Sequence, residues 1–203
     1  VDDRLRTSDP NIFAAGDVIE LPDPLTGQPA AVPLAGPANR QGRTAADNMV
    51  GRDARYPGSF GAAVIKTGKL TVACVGLSER RLRQLKLPYR KIYTHPGSNA
   101  AYYPGGAMLH LKLLFAEDGR ILGAQAVGAK GADKRLDVIA TAMASGRSVY
   151  DLADLELCYA PPYNSAKDPV NFLGMIACDM RDGLTEVLYP EDLTPEPLLL
   201  DVR

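Results

Sequence analysis

The stretch TSDPNIFAAGD, residues 7–17, joins a short apolar run to a glycine and a carboxylate. The apolar residues 11–15 follow Pro10 and end at Gly16, a pattern that predicts a brief buried strand. Gly16 allows a ligand to approach the backbone closely because it has no side chain. Asp17 then stands at the strand tip, where its carboxylate can accept hydrogen bonds from ligand hydroxyl groups such as those of a sugar. On these residues alone, a plain turn aspartate is an equally good interpretation.

A helix is expected directly downstream, in the segment VPLAGPANRQGR at residues 32–43. Pro37 suits the first turn of a helix, and Gly51 is expected to mark its end. Ala35 and Gly36 are small, so the helix start leaves room for a ligand beside its free N–H groups and positive dipole end. An ordinary capped surface helix is the competing interpretation.

The composition indicates a globular chain and excludes several classes of protein. Of the 203 residues, 46% are hydrophobic and 23% charged, which is enough for a core without a bias to disorder. The net charge of -1 leaves no basic surplus, so we expect no nucleic-acid partner. The sequence contains no apolar run near the roughly 20 residues of a membrane span, so we expect no membrane partner.

Several catalytic motifs are missing from the sequence. It contains no G-x-G-x-x-G, Walker A or G-x-S-x-G pattern, and its two histidines lack metal-ligand spacing, so we expect no metal. The three cysteines are too scattered for a disulfide framework, which favours a reducing compartment and a cytoplasmic protein. Cys74 in a strand and Cys178 on a helix are both expected to be buried and inert, whereas Cys158 lies beside Tyr159.

The remainder of the chain predicts a mixed sheet with packed helices, an α+β or α/β fold. Strands are expected at 62–66, 70–75, 89–94, 107–115 and 121–127. Helices are expected at 78–85, 133–145, 149–155 and 168–180. The proline-rich residues 20–33 predict a loop, residues 189–197 predict an acidic linker, and 198–203 predict a buried strand.

Taken as a whole string, residues 7–17 resemble the second flavin-binding signature of the FAD-dependent pyridine nucleotide-disulfide oxidoreductases. The resemblance implies that Asp17, next to Gly16, binds the ribityl chain of FAD. The helix start is similar to the one that faces the flavin pyrimidine in the branch of CoA-disulfide reductases, NADH oxidases and NADH peroxidases. The cofactor-binding residues implied there are Leu34, Ala35, Gly36 and Pro37.

The segment YAPPYNSAKDPVN at residues 159–171 resembles the signature of the C-terminal dimerisation domain of that branch. With the doublet Tyr102-Tyr103, it most resembles the CoA-disulfide reductases, in which two partner-subunit tyrosines approach the redox cysteine and the CoA sulfur. We assign these roles to Tyr103 and Tyr163. The doublets leave the register open, so Tyr102 and Tyr159 are competitors. On spacing alone, packing of the tyrosines against prolines is favoured.

The resemblance also implies ligands and partners. FAD would be the cofactor, NAD(P)H and coenzyme A would be substrates of the parent enzyme, and the protein would be a homodimer acting on a CoA disulfide or persulfide. Lys167 would pair with CoA phosphates and His95 would line the CoA channel, although a solvated lysine is the default interpretation. The alternatives are an NADH oxidase or peroxidase, and a dimerisation module without activity of its own.

The domain organisation follows from the same resemblance. We expect the end of an FAD-binding domain at 1–56, a dimerisation domain at 57–188, and a linker with the start of a possible rhodanese domain at 189–203. Both chain ends are expected to be cuts, with the first FAD motif, the NAD(P)H motif and the redox cysteine upstream. The sequence leaves NADH and NADPH, and CoA disulfide and persulfide, undistinguished.

Overall fold

A five-stranded sheet with helices packed on both of its faces makes up most of the structure, a computed structural model that describes residues 1–194. The sheet contains β3 (Ala63–Thr67), β4 (Leu70–Gly76), β5 (Arg90–Thr94), β6 (Leu109–Phe115) and β7 (Ile121–Gly128), in the order β3-β4-β7-β6-β5. All four pairings are antiparallel. The expected α+β fold class is therefore confirmed.

Four helices accompany the sheet. They are α1 (Ala35–Met49), α2 (Glu79–Leu85), α3 (Ala132–Ala144) and α4 (Pro169–Arg181). Ser78 caps α2 by accepting a hydrogen bond from the Arg81 N–H, and Asp168 forms a capping box with Asn171 at the start of α4. These caps lie where the sequence predicts helix starts.

Alternation along the strands directs one sheet face to the core. In β6, Leu109, Leu111 and Leu113 are buried and pack with Ile139 of α3 and Leu173 of α4 in one hydrophobic cluster. The turn between β6 and β7 contains Gly119, whose φ of +85° suits glycine. Each buried leucine of this kind stabilises the fold by about 1.5–3 kcal/mol relative to an exposed one.

A second, smaller core lies in the first part of the chain. It contains Leu5, Ile19, Ala45 and Tyr56. Asn48 of α1 connects the segments around this core, because its amide group donates to the Arg4 and Ala54 carbonyls. This arrangement holds the segment before Gly16 against α1.

Several expectations about secondary structure are corrected. Residues 11–15 do not form a strand: only Phe13 pairs, in an isolated bridge to Arg6, and Ile12 is exposed. A strand needs a neighbouring strand that pairs with several of its residues, and among residues 1–194 only one residue of this stretch is paired. The short helix expected at 149–155 is present as the 3₁₀ helix Tyr150–Asp154, whereas loop 20–33 contains a short hairpin of β1 (Leu21–Pro22) and β2 (Pro29–Ala30).

The first residues of the linker expected at 189–197 pack against the sheet. Tyr189 packs edge-on against Tyr93 with ring centroids 6.3 Å apart and donates a hydrogen bond to the Lys91 carbonyl. Residues Pro190–Asp192 form a 3₁₀ turn, and Glu191 pairs with Lys91. Residues 195–203, and with them the expected strand over 198–203, lie outside the described residues.

Candidate functional site

The turn at Gly16 and Asp17 lies directly against the beginning of α1. Gly16 adopts a φ of +83°, and its N–H donates to the Gln41 side chain at 2.8 Å. A methyl group on Gly16 would come within 3.7 Å of the Ala38 Cβ, so backbone and helix are close here. The short 3₁₀ turn Gly16–Val18 leaves the Asp17 carboxylate exposed beside the helix start. The structure thus brings the two predicted flavin-binding segments together.

The N-terminus of α1 is open to a ligand. Leu34 precedes it in an extended conformation, and within residues 1–194 no side chain caps the helix and its first turn carries no acidic residue. Ala35 and Gly36 are exposed, while Pro37 is buried and anchors the turn. Free N–H groups and the positive dipole end suit an electron-rich partner. Together with the exposed carboxylate of Asp17, these residues fit a flavin.

Two loops at one end of the sheet carry the four candidate tyrosines, and among residues 1–194 the hydroxyl contact joins Tyr102 and Tyr159, not the predicted pair Tyr103 and Tyr163. The Ala100 N–H donates to the Asn164 carbonyl at 2.9 Å, which ties the loop after β5 to the loop before α4. The hydroxyl oxygens of Tyr102 and Tyr159 lie 3.1 Å apart, within hydrogen-bond distance. The hydrogen bond with Tyr102 and partial burial, together with the charge of a Tyr102 phenolate, raise the pKa of Tyr159.

The tyrosines of the two doublets differ in their surroundings. Tyr102 and Tyr163 are about three-quarters exposed, at 75% and 73%, whereas Tyr103 and Tyr159 are 42% and 47% exposed. Tyr163 closes a turn through its N–H to the Ala160 carbonyl. All four hydroxyl-bearing side chains are therefore available to a ligand or a second subunit, and two of them already form a pair.

Tyr103 and Lys167 border the same groove, which has a volume of about 830 Å³. Its walls come from the two loops and from the start of α4, including Asn99, Met108 and Phe172. Lys167 is exposed, and its Nζ lies 6.0 Å from the centre of the Phe172 ring. A groove with a cation at its edge and apolar walls suits an extended anionic molecule.

His95, which the resemblance implies as a residue lining the CoA channel, lies against another histidine. The Nδ1 atoms of His95 and His110 lie 2.9 Å apart, and the rings meet edge-on with centroids at 5.0 Å. His110 is on β6, and both side chains are exposed. Pro96, next to His95, lines the groove. His95 therefore precedes a groove residue in the chain, and its own Nδ1 lies against His110.

Sequence reasoning did not single out the buried polar residues beneath the two loops. Asn99 donates to the Tyr103 carbonyl at 3.3 Å and accepts from the Ser98 hydroxyl at 3.0 Å. Asn164 is 1% exposed and accepts at its Oδ1 from Arg135 at 2.8 Å. Sequence patterns predict burial from apolar residues, and polar or charged residues are usually exposed. The burial of Asn99, Asn164 and Arg135 could therefore not be predicted from the pattern.

The cysteines correct one expectation. Cys74 is exposed, not buried, because it lies on the outward face of β4, opposite Gln125 of β7, while Ala73 and Val75 face the core. Cys158 is exposed as well. Cys178 is partly buried, and burial raises the pKa of its thiol. Over the described part of the chain the cysteines form no disulfide.

Two properties of residues 1–194 concern membranes and metals. No described helix has both the length and the apolar character required to cross a membrane. The same residues hold no cluster of three or more histidine, cysteine or acidic side chains arranged to bind a metal ion.

The antiparallel sheet, α2, α3 and the two tyrosine loops all lie between residues 63 and 169. Residues 63–169 match the family model for the pyridine nucleotide-disulphide oxidoreductase dimerisation domain. The chain therefore belongs to the pyridine nucleotide-disulfide oxidoreductase family, and the resemblance drawn from its sequence is confirmed at that level.

Individual relatives agree with this assignment. The chain is 38% identical over 176 residues to the coenzyme A disulfide reductase of Staphylococcus epidermidis, covering 86% of this chain and 40% of that protein. The crystal structure of reduced Bacillus anthracis CoADR-RHD is similar with a TM-score of 0.90 and 47% identity, over 93% of this chain and 34% of that one. An NAD-dependent persulfide reductase from A. fulgidus has a TM-score of 0.89 and 37% identity, over 93% and 35%. The chain spans about 40% of the length of the curated relatives.

Proposed function

We propose that this chain is part of a flavin-dependent NAD(P)H-linked reductase of CoA disulfide or CoA persulfide. The observation that carries the proposal is the pair of hydroxyl groups of Tyr102 and Tyr159, 3.1 Å apart on accessible loops. The names of the relatives from S. epidermidis and A. fulgidus support disulfide or persulfide as the acceptor. The chain would supply flavin contacts and the domain that joins two subunits.

The first part of the chain would hold FAD. When bound, the flavin supplies the transfer of two electrons from NAD(P)H to a disulfide. The Asp17 carboxylate would accept hydrogen bonds from ribityl hydroxyls, and the N–H groups of Ala35 and Gly36 would face the flavin ring. Gly16 keeps this surface free of a side chain, and Pro37 anchors the helix turn.

The tyrosines would serve the thiol chemistry. Reduction of a disulfide takes up two electrons and two protons and yields two thiols, so a proton donor near the departing sulfur lowers the barrier. A phenol can donate a hydrogen bond to a thiolate or pass it a proton. The family resemblance gives these roles to Tyr103 and Tyr163, and the observed hydroxyl contact favours the competing pair Tyr102 and Tyr159.

The tyrosines would act on the other subunit of a homodimer. They lie at an exposed end of the dimerisation domain. A side chain that completes the active site of the other subunit has to be exposed in this way. The groove beside Tyr103 would accept part of the CoA molecule, with Lys167 near its phosphates and His95 lining the CoA channel. Residues 1–56 would belong to the FAD-binding domain, 57–188 to the dimerisation domain and 189–203 to a linker with the start of a rhodanese domain.

The test is an acceptor assay with the full-length protein that contains this chain. NADH and NADPH oxidation is followed separately with CoA disulfide, CoA persulfide, oxygen and hydrogen peroxide. We expect the kcat/KM for CoA disulfide or CoA persulfide to be at least about 100-fold higher than the kcat/KM for oxygen. Turnover with oxygen or peroxide alone would instead establish an NADH oxidase or peroxidase and would reject the proposal.

The separate contribution of this chain is tested with residues 1–203 alone. We expect this piece to associate as a dimer and to give no NAD(P)H turnover, because a nicotinamide site and a redox cysteine would come from outside it. Turnover by the isolated piece would contradict the division of the site that we propose.

A further inference from the structure

Arg135 is a buried arginine that lies beneath both tyrosine-bearing loops. It belongs to the first turn of α3, and only 2% of its surface is exposed. Burial of a guanidinium is costly unless its charge is balanced and its N–H groups are engaged. The partners of Arg135 therefore indicate what its burial achieves.

The guanidinium connects two loops that are distant in sequence. Its Nη2 donates to the Ser98 carbonyl at 3.0 Å and to the Asn164 Oδ1 at 2.8 Å. Ser98 lies shortly before Tyr102 in the first loop, and Asn164 follows Tyr159 in the second. One nitrogen atom thus ties both tyrosine loops to α3.

Asn164 extends this connection to the neighbours of the tyrosines. Its carbonyl accepts from the Ala100 N–H at 2.9 Å, and its Nδ2 donates to the Cys158 carbonyl at 3.4 Å. Ala100 lies two residues before Tyr102, and Cys158 directly precedes Tyr159. The backbone leading to each member of the hydroxyl pair is consequently held by one buried residue, through its main-chain carbonyl on one side and its side-chain amide on the other.

The surroundings of Arg135 balance its charge, while its Nε has no hydrogen-bond partner among residues 1–194. The Asp168 Oδ2 lies 3.2 Å from Arg135 Nη2, and the Asp168 side chain is 2% exposed, so its carboxylate balances the charge. Both hydrogens of Nη2 already point to Ser98 and Asn164, so the attraction to Asp168 is that of charge rather than a hydrogen bond. Gly131, which precedes α3, adopts a φ of +71° that favours glycine, and a Cβ there would meet Arg135 Nη1.

We infer that Arg135, acting through Asn164, is the positioning residue that sets the Tyr102–Tyr159 hydroxyl pair for disulfide reduction. The inference rests on the proposed function. Arg135 does not touch the reacting atoms; its contacts fix the two loops from below. Misplacement of catalytic groups by about 1 Å can lower a rate about 100-fold, so loss of these contacts has a measurable consequence.

The test compares Arg135→Met with the unaltered full-length protein in two half-reactions. Methionine retains apolar length and removes every donor. We expect flavin content and the rate of flavin reduction by NAD(P)H to stay within about twofold, while kcat with CoA disulfide falls at least about tenfold. Arg135→Lys keeps the charge but loses the planar fork, so it should recover part of this kcat. If Arg135→Met does not fold, the kcat of Arg135→Lys is the test of the inference. We expect that kcat to fall at least about threefold, and an unchanged kcat would overturn the inference.

Ile139→Ala is the matched control. Ile139 is fully buried one turn further along α3, so the change lowers stability without removing a donor to the loops. We expect a lower thermal midpoint with kcat within about twofold. An Arg135→Met variant with unchanged kcat, or one whose loss equals that of Ile139→Ala, would overturn the inference.

A readout independent of activity separates this inference from the proposed function. The pKa of Tyr159 lies above its ordinary value because of its hydrogen bond with Tyr102, and NMR of ¹³C-labelled tyrosine reports it. In Arg135→Met we expect that pKa to move towards the ordinary value as the pair separates. An unchanged Tyr159 titration would refute the positioning role, whereas a native protein inactive on CoA substrates would refute only the proposed function.

Discussion

The hydroxyl groups of Tyr102 and Tyr159, 57 residues apart in the chain, meet at 3.1 Å. The contact joins the loop after β5 to the loop before α4, and neither loop has regular secondary structure at these positions. A pair of phenols held in this way can share one proton and present the other to a ligand. This geometry distinguishes two tyrosines among four candidates.

The contact predicts which tyrosines matter for turnover. In the full-length protein, Tyr102→Phe and Tyr159→Phe should each lower kcat with CoA disulfide by about 10- to 100-fold, because a positioned proton donor contributes at least that much. Tyr103→Phe and Tyr163→Phe should change kcat by less than about fivefold. Steady-state kinetics at saturating NAD(P)H makes the comparison. Larger losses in the second pair would return the roles to Tyr103 and Tyr163.

The turn at Asp17 predicts a loss of flavin affinity. Asp17→Asn keeps the size of the side chain and removes the charge that strengthens hydrogen bonds to hydroxyl groups, a contribution of about 1.5–3 kcal/mol. We expect the dissociation constant for FAD to rise roughly 10- to 100-fold in the full-length protein. Flavin fluorescence on dilution measures it. Asp23→Asn, in the hairpin loop after β1, is the control and should leave FAD affinity unchanged.

The helices and hairpins of this fold are predictable because their signals are local. The pair Asp118-Gly119 predicts the β6–β7 turn, and Asp168-Pro169 predicts the beginning of α4, since each acts within a few residues. The stretch 11–15 has equally clear strand propensity but forms one bridge, because strand formation depends on neighbours elsewhere in the chain. Local signals thus account for the elements whose partners are adjacent.

The candidate site was predictable in its residue types and less so in its geometry. The motifs identify the doublet at Tyr102 and the segment at Tyr159, but which tyrosines meet depends on how two irregular loops lie on α3. That placement is set by Arg135, whose burial contradicts the usual exposure of charged residues. A buried positioning residue is therefore visible only once the fold has brought its partners together.

A cluster of charges between α2 and the sheet predicts a pH dependence of stability. Glu79 is largely buried, which by itself would raise its pKa, but hydrogen bonds from Lys112 and Tyr89 and the charges of Lys112 and Lys91 lower the pKa to about 2. A carboxyl pKa below its unfolded value of 4.5 stabilises the fold fully above about pH 4.5. This stabilisation is lost as the pH falls from about 4.5 to about 2.

Glu79→Gln tests this cluster. At pH 7 the substitution should lower the free energy of unfolding by roughly 2 kcal/mol, because it leaves Lys91 and Lys112 without their shared partner. The difference from the native protein should shrink between pH 4.5 and pH 2, as followed by urea denaturation. Glu117→Gln removes an exposed ion pair to Arg90 and should cost less than about 1 kcal/mol. A pH-independent difference for Glu79→Gln would contradict the assignment.

Close packing of α4 against the 3₁₀ helix Tyr150–Asp154 gives the last prediction. A Cβ at Gly174 would overlap the backbone of Leu152 and Ala153, and both partners are held in place because the Asn171 amide donates to the Leu152 carbonyl at 3.0 Å. Gly174→Ala should therefore destabilise the protein by about 2–3 kcal/mol and lower its thermal midpoint, as overpacking of a rigid contact does. Gly42→Ala is the matched control, since this glycine of α1 has open space around it and should gain about 0.5–1 kcal/mol from helix propensity. Equal thermal midpoints for the two variants would mean that α4 and the 3₁₀ helix can move apart without loss of stability, which would contradict the prediction.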